Sequence, residues 1–494
     1  GLVFLIAAFM MLYTHSASWD IGGFGQWLRH NPGNERNLIF VLLVISFGLK
    51  SAFFPFHSWL PRAHAAAPAH VSALMSGVIH KAGLYALVRF ALLIGKPDEW
   101  MAWFLIGFSA LSAVIGAIYT VGQRDLKRLL GYSSTENVGI AGIGLGVGCL
   151  GLSWGNPVLI TLGFAGGLLH ILNHAFFKCQ LFYAAGAVYQ STHTVNMERL
   201  GGLSRLMPWT AFSFILGGLA ISALPPLNGF TGEFVIYAGL FNVQAMGTEA
   251  RVALYATGGL LAFVGAVSAL SMTRAYGVVF LGAPRDPTVK NVAEVNRWML
   301  VPMGMHGIGV ILLGVMPVLG LTLVEAPVRL ALSSASQEVE ALKALANGLT
   351  RVGAISALLV LVTAGLIWLR FKASAAPTAR NPTWGCGYQG ASARMQYTGS
   401  GFSAEFGARF SAVMLTRRRR KAPLGYFPTD SYLITDCVDA VERRLFSVIS
   451  RGDASAAELS GRLHEDDPRI AFGAALIAII LIVALVLLSG GQLR

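Results

Sequence analysis

The chain has 494 residues, of which 55% are hydrophobic and only 12% are charged, and its mean hydropathy is +0.62. A soluble globular protein carries about 25% charged residues, so this chain has too few charges to cover a water-facing surface. The composition excludes collagen, coiled-coil, disordered and disulfide-rich secreted classes, and it indicates an all-α polytopic membrane protein. The net charge of +13 fits Lys and Arg on cytoplasmic loops better than it fits nucleic-acid binding.

The chain starts at Gly1 within an apolar segment, and it lacks the basic start and cleavage site of a signal peptide. We therefore expect this sequence to begin inside a helix bundle. Eleven apolar segments predict membrane-spanning helices. They are 1–13, 37–60, 69–94, 99–121, 134–151, 157–190, 208–245, 252–281, 298–322, 350–371 and 470–488.

Two of these segments contain helix breaks. Segment 208–245 includes Leu-Pro-Pro-Leu-Asn-Gly at 224–229, which cannot continue a helix, and segment 37–60 includes Pro55 and is followed by Pro61. Broken helices are tolerated at membrane depth where they are buried in protein or line a wet cavity, and they recur in ion-coupled transporters. A single break is explained equally well by proline kinking, but two breaks with Lys50 and Glu233 nearby favour transport.

Loop charge predicts the orientation. Arg124, Lys127 and Arg128 place the loop 122–133 in the cytoplasm. Alternation then places 191–207, 282–297 and 372–469 on the same side and the C-terminus outside. Within the long loop, apolar residues at three- and four-residue steps predict an amphipathic helix over 430–450. This helix would lie on the membrane surface or against a neighbouring subunit, and a solvated helix on a small cytoplasmic domain is an equally good interpretation.

Three ionisable residues form a stripe in segment 157–190. Steps of four place His170, His174 and Lys178 on one helix face, about 12 Å long at 1.5 Å per residue. An ionisable residue at the bilayer centre costs about 2.5–3.5 kcal/mol on insertion scales, which disfavours a pure packing role. A metal site is also disfavoured, because no acidic residue lies nearby in the sequence. The stripe suits proton hopping between imidazoles and an amine through intervening water.

Five further residues are candidates because they lie in or beside apolar segments. They are Lys50, His80, Lys81, Glu136 and Glu233. Glu136 is predicted at the inner mouth of segment 134–151, either as a charge that the helix dipole favours or as a group that admits protons. Three histidines around the first break are weak candidates, because loop histidines are often solvated. These are His57, His64 and His70.

The motifs that carry these residues resemble the antiporter-like proton-channel subunits of respiratory complex I. They lie between about residues 40 and 280 and are FPFHSWLPRAHAAAPAHVSALMSG, HKAGLYALVRF, DLKRLLGYSSTENVG, NHAFFKCQLFYAAG and LPPLNGFTGEF. Multisubunit sodium/proton antiporters and membrane-bound NiFe hydrogenases share this family. Glu136-Asn137, the TWGCGY and RMQYTGSGFSAEF motifs at 383–406, and the basic segment that follows are similar to the hydrogenase-4 and formate hydrogenlyase branch.

The resemblance implies inverted five-helix repeats, each with a broken transmembrane helix. Residues 1–94 would end the first repeat, and the second would begin within 1–121 and continue over 122–281. Residues 282–371 would add transmembrane helices, 372–469 a cytoplasmic segment, and 470–494 a C-terminal transmembrane helix. We expect the family's N-terminal helices to be missing from this chain. One of them carries a glutamate that pairs with the lysine matching Lys50, so the first half-channel would be incomplete.

The resemblance also assigns roles to the ionisable residues. Lys50 matches the lysine of the first broken helix, Lys81 a lysine on the following helix, and Glu233 the terminal residue on the second broken helix. The stripe residues match the central stripe of the second repeat. Together they would form a hydrophilic axis that joins two half-channels.

The function implied is that of a proton-translocating subunit in a redox-driven complex, with no redox chemistry in this chain itself. Cys149, Cys179, Cys386 and Cys437 lie far apart without a CxxC motif, which argues against a metal site or cofactor here. Iron–sulfur clusters, and in the hydrogenase branch a NiFe centre, would belong to partner subunits. The expected partners are other membrane subunits, a soluble redox arm and the lipid bilayer of the inner cell membrane, but no nucleic acid.

Two alternatives remain open. The chain would serve a sodium/proton antiporter, or it would anchor a soluble arm as a scaffold that conducts nothing. Sodium prefers oxygen ligands, so the nitrogen-rich stripe favours protons. The cost of keeping Lys81, Lys178 and Glu233 in apolar spans argues against a scaffold.

Overall fold

The structure is a computed structural model that describes residues 1–494 apart from 244–245, 287–288, 290–291, 333–337, 374–394, 424, 426–430, 442 and 444–494. The described part is mostly helical. In chain order its helices are α1 (Leu2–Ser16), α2 (Ile21–His30), α3 (Asn34–Ser51), α4 (Trp59–Ala66), α5 (Ala69–Leu74), α6 (Lys81–Ile94), α7 (Glu99–Gly122), α8 (Leu126–Trp154), α9 (Pro157–Thr192), α10 (Pro208–Ile221), α11 (Asn228–Phe241), α12 (Thr248–Phe280), α13 (Arg297–Val315), α14 (Pro317–Leu332), α15 (Glu338–Ala373), α16 (Gly399–Arg409) and α17 (Ser411–Met414). Two strands, β1 (Arg417–Lys421) and β2 (Tyr432–Asp436), form an antiparallel hairpin.

Seven helices among these residues are long and apolar enough to cross a membrane, or eight if the bent pair α1 and α2 forms one span. The first is Ala69–Ile94, in which α5 and α6 are joined by a π-helical turn at Met75–Ile79. The others are Glu99–Gly122, Leu126–Trp154, Pro157–Thr192, Thr248–Phe280, Arg297–Val315 and Glu340–Ala373. Together they correspond to seven of the eleven predicted segments, which confirms an all-α polytopic membrane protein. The predicted span 470–488 lies outside the described residues.

Both predicted helix breaks are confirmed. The first lies between α3 and α4, where Ala52 adopts a left-handed conformation with φ of 59° that ends α3. The second lies between α10 and α11 and contains the Pro225–Pro226 pair, which lacks backbone N–H donors. By contrast, α9 is continuous over all 36 residues. Its proline, Pro157, is the first helical residue, where the missing N–H has no intrahelical partner anyway.

The cytoplasmic loop predicted over 122–133 is mostly helix. Asp125 caps α8 by accepting a hydrogen bond of 2.8 Å from the backbone N–H of Arg128, so the helix begins at Leu126. The predicted span 134–151 therefore started eight residues too late. The charges that suggested a loop share the first turns of α8 with Leu126, Leu129 and other apolar residues that are fully buried.

Helices α8 and α9 form the centre of the molecule, because small residues let them approach closely. A Cβ atom on Gly163 of α9 would lie 2.5 Å from the Cα atom of Gly148 on α8. On the other side of α8, a Cβ atom on Gly139 would lie 2.8 Å from the Cα atom of Ala113 on α7. Close backbone contact between small residues is a typical way for membrane helices to associate. It places the polar faces of α8 and α9 in the protein interior.

The C-terminal described segment packs on the ends of α7 and α8. The hydroxyl of Tyr119, on α7, donates a hydrogen bond of 2.9 Å to the backbone carbonyl of Val413. Residues 432–436 form β2, which corrects the helix predicted over 430–450 at that end. Their sequence, Tyr-Leu-Ile-Thr-Asp, combines aromatic and β-branched residues that favour a strand. Residues 430, 442 and 444–450 of the predicted helix lie outside the described residues.

Candidate functional site: a buried polar cluster

The stripe on α9 is buried and faces α8. His170, His174 and Lys178 are at most 2% exposed. The Nζ atom of Lys178 donates hydrogen bonds to the backbone carbonyl of Leu130, at 3.0 Å, and to the hydroxyl of Ser133. The spacing of four therefore produces the single buried face that the sequence predicted. Two oxygen atoms of α8 accept hydrogen bonds from the Lys178 amine.

His170 makes a further contact with α8. Its Nε2 atom lies 3.2 Å from Oδ1 of Asn137, whose amide nitrogen donates to the backbone carbonyl of Ser133 at 2.8 Å. Ser133 thus interacts with Asn137 through its carbonyl and with Lys178 through its hydroxyl. Both ends of the stripe are joined through one turn of α8.

His80 and Lys81 follow a π-helical turn that interrupts the helix 69–94, and they lie beside the stripe. Residues Met75–Ile79 form a π-helical turn, which widens the helix and frees backbone carbonyls. The Nζ atom of Lys81 donates to the carbonyls of Ser76, at 2.9 Å, and Gly77, at 2.8 Å. The ring of His80 lies 6.0 Å from that of His174, centre to centre. The π turn was not predicted, because its sequence contains no proline.

Glu136 lies deep within the protein and not at the mouth of a span. It is fully buried ten residues into α8, about 15 Å from the helix start at 1.5 Å per residue. The interpretation as a charge at a helix N-terminus is therefore wrong. Glu136 interacts electrostatically with Lys178 and with Glu233, which joins the two carboxylates to the stripe.

Glu233 is buried in α11, shortly after the second helix break, as the sequence predicted. The preceding residue, Gly232, packs directly on α9, since a Cβ atom there would lie 2.9 Å from the Cα atom of His170. The break itself is fastened to α9 by Asn173. The Asn173 amide nitrogen donates to the carbonyl of Asn228 at 2.7 Å and to the hydroxyl of Thr231 at 3.1 Å.

Seven of the eight predicted site residues therefore lie in one buried polar cluster. Its members are His80, Lys81, Glu136, His170, His174, Lys178 and Glu233. Lys50 does not join it, because it is exposed in the last turn of α3. The neighbouring Ser51 takes the inward position and donates to the carbonyl of His80 at 3.0 Å. Adjacent residues on a helix point about 100° apart.

The three weak histidine candidates have different surroundings. His70 is exposed, whereas His57 and His64 are fully buried. His64 interacts electrostatically with Lys178 and His80, so it extends the polar cluster towards α4. The Nε2 atom of His57 lies 3.0 Å from Oδ2 of Asp439, a contact that becomes an ion pair when the imidazole is protonated. Burial of loop histidines depends on tertiary packing, which residue type alone does not reveal.

Comparison with known proteins agrees with this architecture. The model of the family described as NADH:quinone oxidoreductase/Mrp antiporter, TM, matches residues 1–257. The chain belongs to this family. It is 40% identical over 315 residues to hydrogenase-4 component B of Escherichia coli strain K12, covering 61% of this chain but only 45% of that protein. It is 34% identical over 427 residues to formate hydrogenlyase subunit 3 of the same strain, covering 85% of this chain and 67% of that protein.

A solved structure shares the fold. A chain of the membrane-bound sulfane sulfur reductase, an archaeal respiratory membrane complex, aligns with a TM-score of 0.68 and 20% identity over 97% of this chain and 74% of that chain. These matches confirm the predicted resemblance, including the similarity to the hydrogenase-4 and formate hydrogenlyase branch. This chain spans less than half the length of hydrogenase-4 component B.

Several residues of this chain's polar interior were not predicted from the sequence. Ser133 and Asn137 stand four residues apart in YSSTEN, and that spacing is the signal by which a polar face of α8 is recognisable. Asp439 gave no signal, because it meets His57 from almost four hundred residues further along the chain. Among the described residues, no group of three His, Cys, Asp or Glu side chains is placed to hold a metal ion.

Proposed function

We propose that this chain is a proton-translocating membrane subunit of a redox-driven complex, of the membrane-bound hydrogenase or complex I type. The observation that carries the proposal is the buried polar cluster, which runs from Lys81 through the α9 stripe to Glu136 and Glu233. Buried charges of this kind are costly in a membrane bundle and mark ion or proton pathways. The family membership and the similarity to hydrogenase-4 component B and formate hydrogenlyase subunit 3 support the same function.

The cluster offers a simple way to move a proton. The Lys178 amine donates to Leu130 and Ser133 and not directly to Glu136, so a proton would pass between them through intervening water. When the proton leaves the Nζ atom of Lys178 and binds a carboxyl oxygen of Glu136 in this way, the amine and the acid both become neutral. A charge change at Lys81 or Glu233 alters the balance between the charged and neutral pairs, because like charges repel strongly in a poorly solvating interior. Sequential transfers along such pairs would couple distant events to proton passage.

The partners follow from the same proposal. Other membrane subunits would complete the pathway on the side of Lys50, and a soluble arm with iron–sulfur clusters, and a NiFe centre in a hydrogenase, would supply the redox energy. The chain would lie in the inner cell membrane with residues 372–469 on the cytoplasmic side, where Arg417–Lys421 fit the positive-inside rule. The electron-transfer chemistry would belong to the partners.

A sodium/proton antiporter is the second candidate, because the family description includes the Mrp antiporters. Sodium requires several convergent oxygen ligands. The cluster instead presents the nitrogen atoms of two lysines and three histidines beside two carboxylates, which favours protons.

The decisive experiment replaces Lys178 by Met in the native complex, which is then reconstituted into liposomes. Lys178→Met keeps the side-chain length but removes the transferable proton, so redox turnover should persist while proton transport falls by about a hundredfold. Lys178→Arg should also impair transport, since a guanidinium stays charged at any accessible pH. Lys343→Met, which alters an exposed lysine on α15, is the matched control and should transport normally.

Two results would contradict the proposal. Normal proton transport by Lys178→Met would remove the stripe from the pathway, and normal transport by Lys178→Arg would show that a fixed charge suffices there. Uptake of radioactive sodium in exchange for protons, without redox turnover, would establish the antiporter function instead.

A further inference from the structure

A carboxylate from the C-terminal part of the chain is buried against the first helix break. Asp439 follows β2, and His57 lies in the connection between α3 and α4; both side chains are 0% exposed. The Oδ2 atom of Asp439 lies 3.0 Å from Nε2 of His57 and accepts a hydrogen bond of 3.2 Å from the hydroxyl of Tyr132 on α8. A buried carboxylate needs such partners, because burying it alone is strongly unfavourable.

Asp439 also lines a groove at the protein surface in the same region. The groove has a volume of about 850 Å³ and is bordered by the ends of α7 and α8, by β1 and by the residues after β2. Six arginines contribute to its lining: Arg62, Arg124, Arg128, Arg417, Arg419 and Arg443. Asp439 therefore stands between this basic groove and a histidine that has no exposure of its own.

The pair is connected to the buried polar cluster through α8. Tyr132, which donates to Asp439, is followed directly by Ser133, the hydroxyl partner of Lys178. Glu136 lies one helical turn after Tyr132 and so on the same face. One turn of α8 therefore contacts Asp439 at one end and the cluster at the other.

We propose that Asp439 and His57 form the site at which protons pass between the arginine-lined groove and the buried polar cluster. The inference rests on the proposed function and adds the place where protons are exchanged with water. A proton from water in the groove binds the Asp439 carboxylate. The carboxyl O–H bond then breaks as an N–H bond forms at Nε2 of the neutral His57 ring, and the carboxylate recovers its charge. The imidazolium that results loses its Nδ1 proton towards the cluster, and the ring becomes neutral again.

The neighbouring groups are less suited to this step. Burial raises the pKa of the Cys437 thiol to about 12, so the thiol keeps its proton at neutral pH. The hydroxyl of Tyr119 is held between the backbone carbonyl of residue 413, at 2.9 Å, and the backbone N–H of residue 440, at 2.8 Å. Asp436 is exposed at the end of β2. The groove lining is net positive, because its six arginines outnumber Asp125, Asp436 and Asp439. A net positive lining repels cations and so disfavours sodium, but it does not block proton transfer along hydrogen bonds.

A purely structural role for Asp439 is the alternative to be excluded. Its Oδ1 atom accepts a hydrogen bond of 2.9 Å from the backbone N–H of Val441, as a helix-capping side chain does. Asparagine caps as well as aspartate, so Asp439→Asn preserves this contact and the side-chain volume. It removes the ability to take up a proton and to form an ion pair with His57, and it places an amide NH2 group, which cannot accept, where Oδ2 accepts from the Tyr132 hydroxyl.

The test compares Asp439→Asn, Asp439→Glu and the control Glu405→Gln, which alters an exposed residue of α16 outside the groove, in the native complex, reconstituted into liposomes. Asp439→Asn should keep redox turnover and subunit stoichiometry while proton transport falls by about a hundredfold. Asp439→Glu should restore part of the transport with a shifted pH profile, a result that a capping role does not produce. Glu405→Gln should transport like the wild type. His57→Gln tests the pair from its other side and should match Asp439→Asn.

The outcomes separate this inference from the proposed function. Normal transport by Asp439→Asn, together with lost transport in Lys178→Met, would overturn the exchange site but leave the function intact. Normal transport in both variants would overturn the function. If Asp439→Asn fails to assemble, His57→Gln decides, and its normal transport would overturn the inference.

Discussion

Single side chains decide how closely the helices around the cluster can approach. Gly232 of α11 contacts the backbone of α9 beside His170, so even one methyl group has no room there. Glu233 follows directly and is thereby held against the stripe. The contact explains in physical terms why a glycine stands beside the buried carboxylate.

Gly232→Ala should destabilise the protein. The added Cβ atom would lie 2.9 Å from the Cα atom of His170, and forcing such a contact costs about 1–3 kcal/mol. Gly265→Ala in α12 is the control, since no heavy atom lies within 4 Å of the added Cβ atom; removing a helical glycine there should stabilise by about 0.5–1 kcal/mol. The measurement is the thermal unfolding temperature of each purified variant in the same detergent. Equal unfolding temperatures would contradict the tight contact.

At the scale of whole elements, the broken helices position the chemistry. The second break is held from two sides, by Asn173 of α9 and by Gly314 of α13. A Cβ atom on Gly314 would lie 2.8 Å from the backbone nitrogen of Asn228. Such fastening keeps the start of α11, and with it Glu233, in a fixed position relative to the stripe.

Removing the hydrogen bonds of the Asn173 side chain should make the second helix break more mobile. Asn173→Ala deletes two hydrogen bonds, at a cost of about 1–3 kcal/mol in total, while the Asn228 carbonyl keeps the hydrogen bond of 2.8 Å from the Thr231 hydroxyl. Backbone amide hydrogen exchange over residues 222–231 should become faster. Asn242→Ala at the exposed end of α11 is the control and should change exchange and stability little. Unchanged exchange in Asn173→Ala would show that the Asn173 side chain does not hold the break, since the Asn173 backbone carbonyl still accepts from the Asn228 amide.

The elements also show what the sequence could and could not predict. Pro55 and Pro225–Pro226 revealed the breaks because proline acts locally, and steps of four revealed the α9 stripe. The depth of Glu136 was missed, because the basic first turn of α8 has the composition of a loop. The exposure of Lys50 and the burial of Asp439 depend on contacts between distant segments, which no local pattern contains.

The whole molecule arranges its buried charges across several helices. Lys81 belongs to the helix after the π turn, the stripe to α9, Glu136 to α8 and Glu233 to α11. No one or two of these helices carry all of the buried ionisable residues. Proton passage along the cluster therefore requires the folded helix bundle. The cluster ends at Glu233, whose electrostatic neighbour within it is Glu136.

Glu233→Gln tests whether this end of the cluster carries protons. Glutamine has almost the same volume and stays polar, so the complex should assemble with normal stoichiometry and redox turnover. It takes up no proton at accessible pH, so transport into liposomes should fall by about a hundredfold if Glu233 is an obligatory site. Glu249→Gln, at the exposed start of α12, removes an equal charge outside the cluster and should transport normally. Full transport by Glu233→Gln would mean that protons leave the cluster before α11, and the pathway would then end at Glu136.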